Sequence, residues 1–471
     1  MSQEDSNQTP NQNTNSTSRR EFVKTTAAAG MGLMVAADLA PRASRMVADE
    51  IAFASIGVGG KGSSDSSMLG KLGRMVAICD VDEENLNKKR GEFPKAERFF
   101  DYRKLLEEAG DKIDAVSIST PDHMHAPISL QAMRMGKHCT CQKPLTHSIE
   151  EARMMGDGAR EKKLITQMGN QGTADGNLRR SAALVKAGVI GEVKEVHVWT
   201  NRPVWPQSKG YKPKESPVPK HVKWDLWLGG APKRAFSHEI HPFKWRGFWD
   251  FGTGALGDMA CHTLNMSFMA TDMKNPVSIK ATTDGHDGNC FPKWSVIEYV
   301  FDTGNMNQLK MYWYDGSKMP PKEILEGLPR DPNPRRKGRH YNSAALLIGE
   351  KGSFYSPGDY GGDRRNSGIL VNGEFTPIRK ITEPSVEFPK APAGGIYGEF
   401  ASAIKGELKA ESNFPDYAGP LTEVVLLGNL AVWQPDTLIK WDAKTLEAEN
   451  ATEEMKKLIR HDYHNGYSIK G

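Results

Sequence analysis

Three short stretches carry residue types that could do chemistry together. "CQKPLTHS", residues 141–148, sets Lys143 between Gln142 and Pro144 at the end of a compact apolar run. A lysine there offers an amine held still, because proline fixes its own φ and aims the turn. "GTGALGDMACHTLN" sets Asp258 and His262 four residues apart, so on a helix they share one face. Histidine titrates near neutrality and suits general acid–base work, and a neighbouring carboxylate can orient or charge-tune it. "IAFASIGVGGKGSS" places Gly57, Gly59 and Gly62 in the spacing G-x-G-x-x-G after an apolar run. There the first glycine permits a tight turn, the second lets a pyrophosphate approach the main chain, and the third lets the next helix pack close to the strand.

These residues need a scaffold, and the first half of the chain spells one. "RMVAICDVD" reads as a second strand ending in Asp80, about 20 residues past the glycines, where the fingerprint places a carboxylate for a ribose hydroxyl. An acid there repels a 2′-phosphate, which favours NAD over NADP. "DAVSIST" and "KHCTCQKP" continue as strands, with "HAPISLQAMRMG" a helix between them. Repeated strand–helix units predict a doubly wound parallel sheet of Rossmann type, whose ligand crevice lies beyond the strand C-termini. By that rule Thr120, Pro121, Gln142 and Lys143 stand at the cofactor edge. His123 and His125 in "DHMHA" lack a third ligand nearby, so no metal site is expected; His123 is read as a surface or crevice residue.

The second half changes pattern. "EVKEVHVWT" alternates strictly, and "VSIKATTDG", "SVIEYVFDTG" and "NQLKMYWYDG" follow as further strands. They predict a C-terminal α+β domain with a large open, mostly antiparallel sheet. Trp199, Trp205, Trp224, Trp227, Trp245, Trp249 and Trp313 crowd this half. At least half are expected to be structural; Trp249, beside the glycine loop, is the candidate substrate wall. Asn170 and Tyr312 are the other candidate substrate contacts. "PPKEILEGLPRDPNPRRKGRH" reads as a long surface loop, a lid or an inter-subunit arm. "AGPLTEVVLLGNLAVW" is almost wholly apolar and must be buried.

The glycine turn, "TPDHMHA", "QKP", and an acid with a histidine four later occur in an order that resembles the Gfo/Idh/MocA oxidoreductases. The resemblance implies a Rossmann domain, a sheet domain with one face toward the cofactor and the other toward a neighbouring subunit, and a dimer or tetramer. It also implies a cis Lys143–Pro144 bond, a histidine at His125 near the nicotinamide, and a late helix packing back on the first domain. The family usually has glutamate where this chain has Gln142, which removes one negative charge beside Lys143. The activity implied is hydride transfer between NAD and a secondary hydroxyl of a sugar, sugar alcohol or glycoside. The alternative is an NAD-retaining glycoside hydrolase that oxidises a ring carbon transiently, although the tyrosine–proline–threonine–histidine-type motif of such enzymes is absent from "GDMACHTLN". A non-catalytic binding protein, a dinucleotide fold kept for sugar recognition or as a subunit anchor, is the reading from another class.

Basic and acidic residues nearly cancel, 62 against 58, which gives no support to a nucleic-acid or membrane-surface partner. The first residues are polar, and Arg19-Arg20 then precede a short mild apolar run, the pattern of a twin-arginine export signal and a periplasmic destination. That run is too short for a confident membrane span. Cys79, Cys139, Cys141, Cys261 and Cys290 are expected to be free and mostly buried. The organisation expected is a tail and signal over 1–48, a dinucleotide domain over 49–170, a substrate and oligomerisation domain over 171–395, and C-terminal helices over 396–471.

Overall fold

The computed structural model describes residues 50–304 and 308–470. The candidate export signal lies outside the described residues.

Apolar runs of four to six residues form the centre of the first sheet, because strands covered by helices on both faces need no polar side. Its strands are β1 (Ala52–Ile56), β2 (Arg74–Cys79), β3 (Glu97–Phe99), β4 (Ala115–Ile118), β5 (His138–Cys141) and β6 (Thr166–Met168). They run parallel in the order β3-β2-β1-β4-β5-β6. The order reverses between β1 and β4, and that switch point opens the crevice predicted for the dinucleotide. The interleaved helices are α1 (Gly60–Gly70), α2 (Glu83–Glu92), α3 (Tyr102–Ala109), α4 (His125–Arg134) and α5 (Ile149–Glu161). Asp82 caps α2 and Asp101 caps α3, each accepting a main-chain N–H in the first turn.

After α6 (Gly176–Lys186) the chain builds the second sheet: β7 (Val193–Trp199), β8 (Ser278–Thr283), β9 (Ser295–Phe301), β10 (Leu309–Tyr314), β11 (Ala344–Gly349), β12 (Gly352–Pro357), β13 (Gly368–Val371), β14 (Glu374–Pro377), β15 (Ile439–Asp442) and β16 (Glu447–Ala448). The order is β14-β13-β12-β11-β7-β10-β9-β8-β15-β16. Only the β7–β10 pairing is parallel. Strand β9 shows why one face is inward: Ser295, Ile297, Tyr299 and Phe301 are buried, and the residues between them are half-buried. The pair β15–β16 comes from the segment expected to be helical only; Ile439 and Trp441 alternate with exposed neighbours and extend the sheet edge.

Between β7 and β8 stand α7 (Trp224–Leu228), α8 (Gly254–Thr263) and α9 (Asn265–Thr271); α10 (Gly395–Ile404) and α11 (Gly419–Trp433) stand between β14 and β15, and α12 (Glu453–Ile459) follows β16. Apolar α11 is buried almost throughout. It packs between α5 of the first domain and α8 and β8 of the second. One apolar cluster therefore runs from Ile56 and Val116 through Leu421 and Val425 to Ile297 and Trp313. The polar seam is paired as well: Arg153 of α5 grips Glu423 of α11 with two N–H···O bonds of 2.8 and 2.7 Å. Residues 50–470 thus lie within one compact unit.

The proline- and arginine-rich stretch after β10 is no lid. Leu325 and Leu328 sink into a cluster with Trp199 and Tyr355 on the outer side of the second sheet, and none of its residues lines the site cavity. All five cysteines are free and buried. Among the described residues, no helix is long and apolar enough to cross a membrane.

Candidate active site

A cavity of about 700 Å³ opens at the switch point of the first sheet and reaches the second domain. Strands β2 and β3 bring Asp80, Asp82, Phe100, Asp101 and Tyr102 to one side; β4 and β5 bring Thr120, Pro121, Gln142 and Lys143 to the other. Helix α8 supplies Asp258 and His262.

The glycine turn fits a pyrophosphate. Gly57 sits at φ +78°, and a Cβ there would lie 2.5 Å from the Ser119 carbonyl oxygen. A Cβ on Gly62 would lie 1.8 Å from the Gly57 carbonyl oxygen, so α1 reaches its place against β1 only with glycine there. No side chain caps α1, which leaves its first-turn N–H groups to an anion; Gly59, Gly60 and Lys61 line the cavity. Asp80 steadies the turn. One of its oxygens accepts from Val58 and Gly59 main-chain nitrogens at 2.8 and 3.0 Å, the other from Asp82 N at 2.9 Å. Burial raises this carboxyl, and the N–H groups oppose the rise. Two buried polar atoms on cavity residues, Thr120 Oγ1 and His262 Nδ1, have no partner in the protein. Donors and acceptors of this kind suit a dinucleotide and a hydroxylated substrate.

Lys143 closes the distance between the domains. Its Nζ donates to the Asp258 carboxylate at 2.8 Å and to the Asp258 carbonyl at 2.5 Å, across a cis Lys143–Pro144 bond. Arg246 Nε donates to the same carboxylate at 3.2 Å, and Arg202 Nε stands 3.9 Å from it. Burial alone would raise Asp258, but the charges of Lys143 and Arg246 outweigh it and bring the carboxyl to about 2. His262 is held well below the usual imidazole range, first by burial and then by Lys143, so its ring is neutral. Asp122 lines the cavity too, raised to about 6 by burial and held by the Thr253 hydroxyl at 2.7 Å.

Gln142 does not leave its neighbourhood without a carboxylate. Its Nε2 donates to Asp65 at 2.8 Å, and Ser119 Oγ donates to the same oxygen at 2.8 Å. Lys61 pairs with the other Asp65 oxygen, to which the Tyr397 hydroxyl also donates at 2.5 Å.

Gly57, Gly59, Asp80, Thr120, Pro121, Gln142, Lys143, Asp258 and His262 therefore meet in one cavity, while Gly62 acts from behind it. Four other candidates do not reach it. Trp249 is stacked on Phe291 at 3.6 Å, and its indole donates to the Cys290 carbonyl at 3.1 Å, inside the core. Tyr312 stacks on His197 at 5.0 Å on the opposite face of the second sheet from buried Met311 and Trp313. Asn170 is covered by Ser412, whose hydroxyl donates to it at 2.5 Å. His125 uses both ring nitrogens on the Pro144 and Thr120 carbonyls, 2.8 and 2.9 Å away, and so clips the two cofactor-edge loops together from beneath. His123, expected at the surface or in the crevice, is buried against the Trp227 and Phe251 carbonyls. Of the seven tryptophans, Trp205, Trp227 and Trp245 line the cavity.

Comparison with known proteins places the two domains. Residues 51–170 match the pattern described as "Oxidoreductase family, NAD-binding Rossmann fold", and residues 179–316 match "Oxidoreductase family, C-terminal alpha/beta domain", both of the Gfo/Idh/MocA family.

The chain belongs to the Gfo/Idh/MocA oxidoreductase family.

Among curated relatives of this Gfo/Idh/MocA protein, levoglucosan dehydrogenase of Pseudarthrobacter phenanthrenivorans is 26% identical over 175 residues, 36% of this chain and 35% of the relative. A glycosyl hydrolase family 109 protein of Shewanella baltica is 31% identical over 205 residues, 37% of this chain and 44% of the relative. The matched stretches thus span less than half of either relative. Among solved structures, the WlbA dehydrogenase of Bordetella pertussis, in complex with NADH and UDP-GlcNAcA, superposes with a TM-score of 0.56 at 16% identity, over 83% of this chain and 99% of that one. The aldose-aldose oxidoreductase of Caulobacter crescentus, complexed with glycerol, gives 0.56 at 15% identity, over 83% and 99%. At such identities the structures speak for the fold alone.

Sequence reasoning missed Arg202, Arg246, Asp65, Tyr360 and Tyr397. Arg246 stands in the tryptophan-rich run just before the glycine loop of α8, and that position was the available signal. The others come from loops and helices without a local pattern.

Proposed function

We propose that the protein is an NAD-dependent oxidoreductase acting on a secondary hydroxyl of a sugar, sugar alcohol or glycoside. The observation that carries the reading is the convergence of Lys143 from the first domain with Asp258 and His262 from α8 in the cavity behind the glycine turn. A bound nicotinamide supplies the hydride acceptor or donor. Lys143, already charged against Asp258, donates to the substrate oxygen and polarises it. His262, neutral at rest, accepts the hydroxyl proton on a ring nitrogen and returns it in the reverse direction. Asp258 holds Lys143 and favours the charged imidazole once the proton has arrived. The carboxylates of Asp80 and Asp82 support NAD over NADP, since a 2′-phosphate meets two like charges there.

Nucleotide released from denatured protein, together with absorbance at about 340 nm on adding sugars, tests the reading. NAD in the extract and sugar-dependent NADH formation support it; absence of both overturns it. The similarity to family 109 proteins supports a second reading, in which the dinucleotide is retained and glycosides are cleaved. Cleavage without net NADH separates that outcome from the first. Export by the twin-arginine route to the periplasm, and a dimer or tetramer, complete the proposal; the motif at Arg19-Arg20 supports the first. Fractionation of the host and light scattering test them.

A further inference from the structure

Eight large apolar side chains stand exposed among the described residues, and three of them, Val204, Phe243 and Tyr360, line the active-site cavity. They are 61%, 50% and 53% exposed. Single exposed apolar residues need no explanation, but a group gathered on one ligand cavity does. They come from three loops far apart in sequence, so no local pattern assembles them.

Each is fixed from behind. Val204 precedes Trp205, whose indole donates to Gln207 at 2.7 Å while Gln207 donates to the Pro292 carbonyl at 2.7 Å. Phe243 meets the Trp205 ring edge-on at 6.2 Å. The Arg246 guanidinium lies over the Phe243 and Trp245 rings at 4.8 and 4.2 Å and donates to the Phe243 carbonyl at 3.1 Å. Tyr360 meets the His262 ring edge-on at 4.7 Å. Two of the three rim residues are thus aromatic and packed on a neighbouring ring, and the donors of Arg202 and Arg246 stand between the rim and Asp258. Apolar faces interleaved with fixed donors match a sugar or aryl ring, which offers C–H or π faces and hydroxyl edges. Tyr360 touches the His262 ring and so borders the reacting sugar, whereas Arg246 stands between Phe243 and Asp258, so a single sugar ring with its hydroxyl at Lys143 and His262 leaves Phe243 and Val204 in water.

We propose that Val204 and Phe243, with Tyr360 at the junction to the oxidation site, form a subsite for the aglycone of the substrate, so that the enzyme acts on glycosides in preference to free sugars. The proposal rests on the reading of Lys143 and His262 as the oxidation site. Continuity of the rim with that cavity, rather than with a separate face, favours the far end of the substrate over a second copy of the chain as its occupant.

The test uses glucose, galactose and N-acetylglucosamine, each as free sugar, methyl β-glycoside and phenyl β-glycoside. It reads NADH formation, calorimetric binding with NAD present, and mass by light scattering. The expected result is kcat/KM about tenfold higher for a phenyl glycoside than for its free sugar, carried by KM. Phe243→Ala removes most of that ratio, and Val204→Ser lowers it about threefold. An equal loss for free sugar and glycoside in Phe243→Ala overturns the proposal, because Phe243 then acts only through Arg246. A changed mass in Phe243→Ala also overturns it and assigns the rim to a second copy. If no sugar gives NADH, the oxidoreductase reading fails separately. Calorimetry then decides the subsite: phenyl glycoside binding that weakens in Phe243→Ala supports it, and no binding overturns it.

Discussion

Asp80, buried, and Asp258, partly exposed to the cavity, are carboxylates of one site, yet the protein holds them by different means. Asp80 is fixed by main-chain N–H groups of the glycine turn and of residue 82, and burial raises it. Asp258 is fixed by the side-chain cations of Lys143 and Arg246, which bring it to about 2. The dinucleotide end is thus made of main chain, and glycine is its requirement. The substrate end is made of side chains carried in by separate segments, and charge is its requirement. Substitutions at the first end should change binding, and substitutions at the second should change turnover.

The largest separation is expected from Lys143→Met. Turnover should fall about 10³-fold while calorimetric NAD affinity stays within a few-fold; equal losses of both would erase the distinction. Gly62→Ala is the converse. Its Cβ would meet the Gly57 carbonyl at 1.8 Å, so NAD affinity should fall about 10- to 100-fold and melting should come earlier. Asp80→Asn removes the charge and also replaces one of two acceptors with an NH2 facing main-chain N–H groups, so affinity for both nucleotides should fall while the NAD-to-NADP preference moves about tenfold toward NADP, read as the ratio of kcat/KM values.

The smallest effect expected is on acid stability. Burial holds His123 at about 3, His125, His241 and His461 at about 4, and His262 well below its usual range. Between about pH 6.5 and 4 the unfolded chain binds protons at these imidazoles and the folded chain does not. Their contribution is therefore complete above about pH 6.5 and is lost as pH falls. Asp122 and Asp315, raised to about 6, and Asp80 and Asp250, also raised by burial, act in the opposite sense, but the lowered imidazoles, with His138, His147, His197 and His340 among them, outnumber them. Calorimetry should show a lower Tm at about pH 5 than at about pH 7.5; a rise on acidification would contradict the neutral state assigned to His262 and its buried companions.

The same contrast explains what the sequence made legible. The glycine turn, Asp80 and Lys143 follow from strand ends and fixed spacing, and Asp258 with His262 from a four-residue helical step; all are local. Tyr312 was misplaced although period-two alternation had the answer, since its neighbours Met311 and Trp313 face the core. Trp249 was chosen for nearness in sequence to the glycine loop, but Phe291 takes its face. Asn170 follows a strand end, where the crevice rule favours a ligand contact, and only the distant Ser412 shows why it is covered. Arg202 and Tyr360 meet the site through tertiary packing of loops, which leaves no periodic trace.

A crystal structure of the NAD complex tests the central claim most directly. The nicotinamide ring should lie in the space bounded by Lys143, Asp258 and His262, with Thr120 Oγ1 newly paired. A ring bound outside that space, with Lys143 still closed on Asp258, would contradict the account.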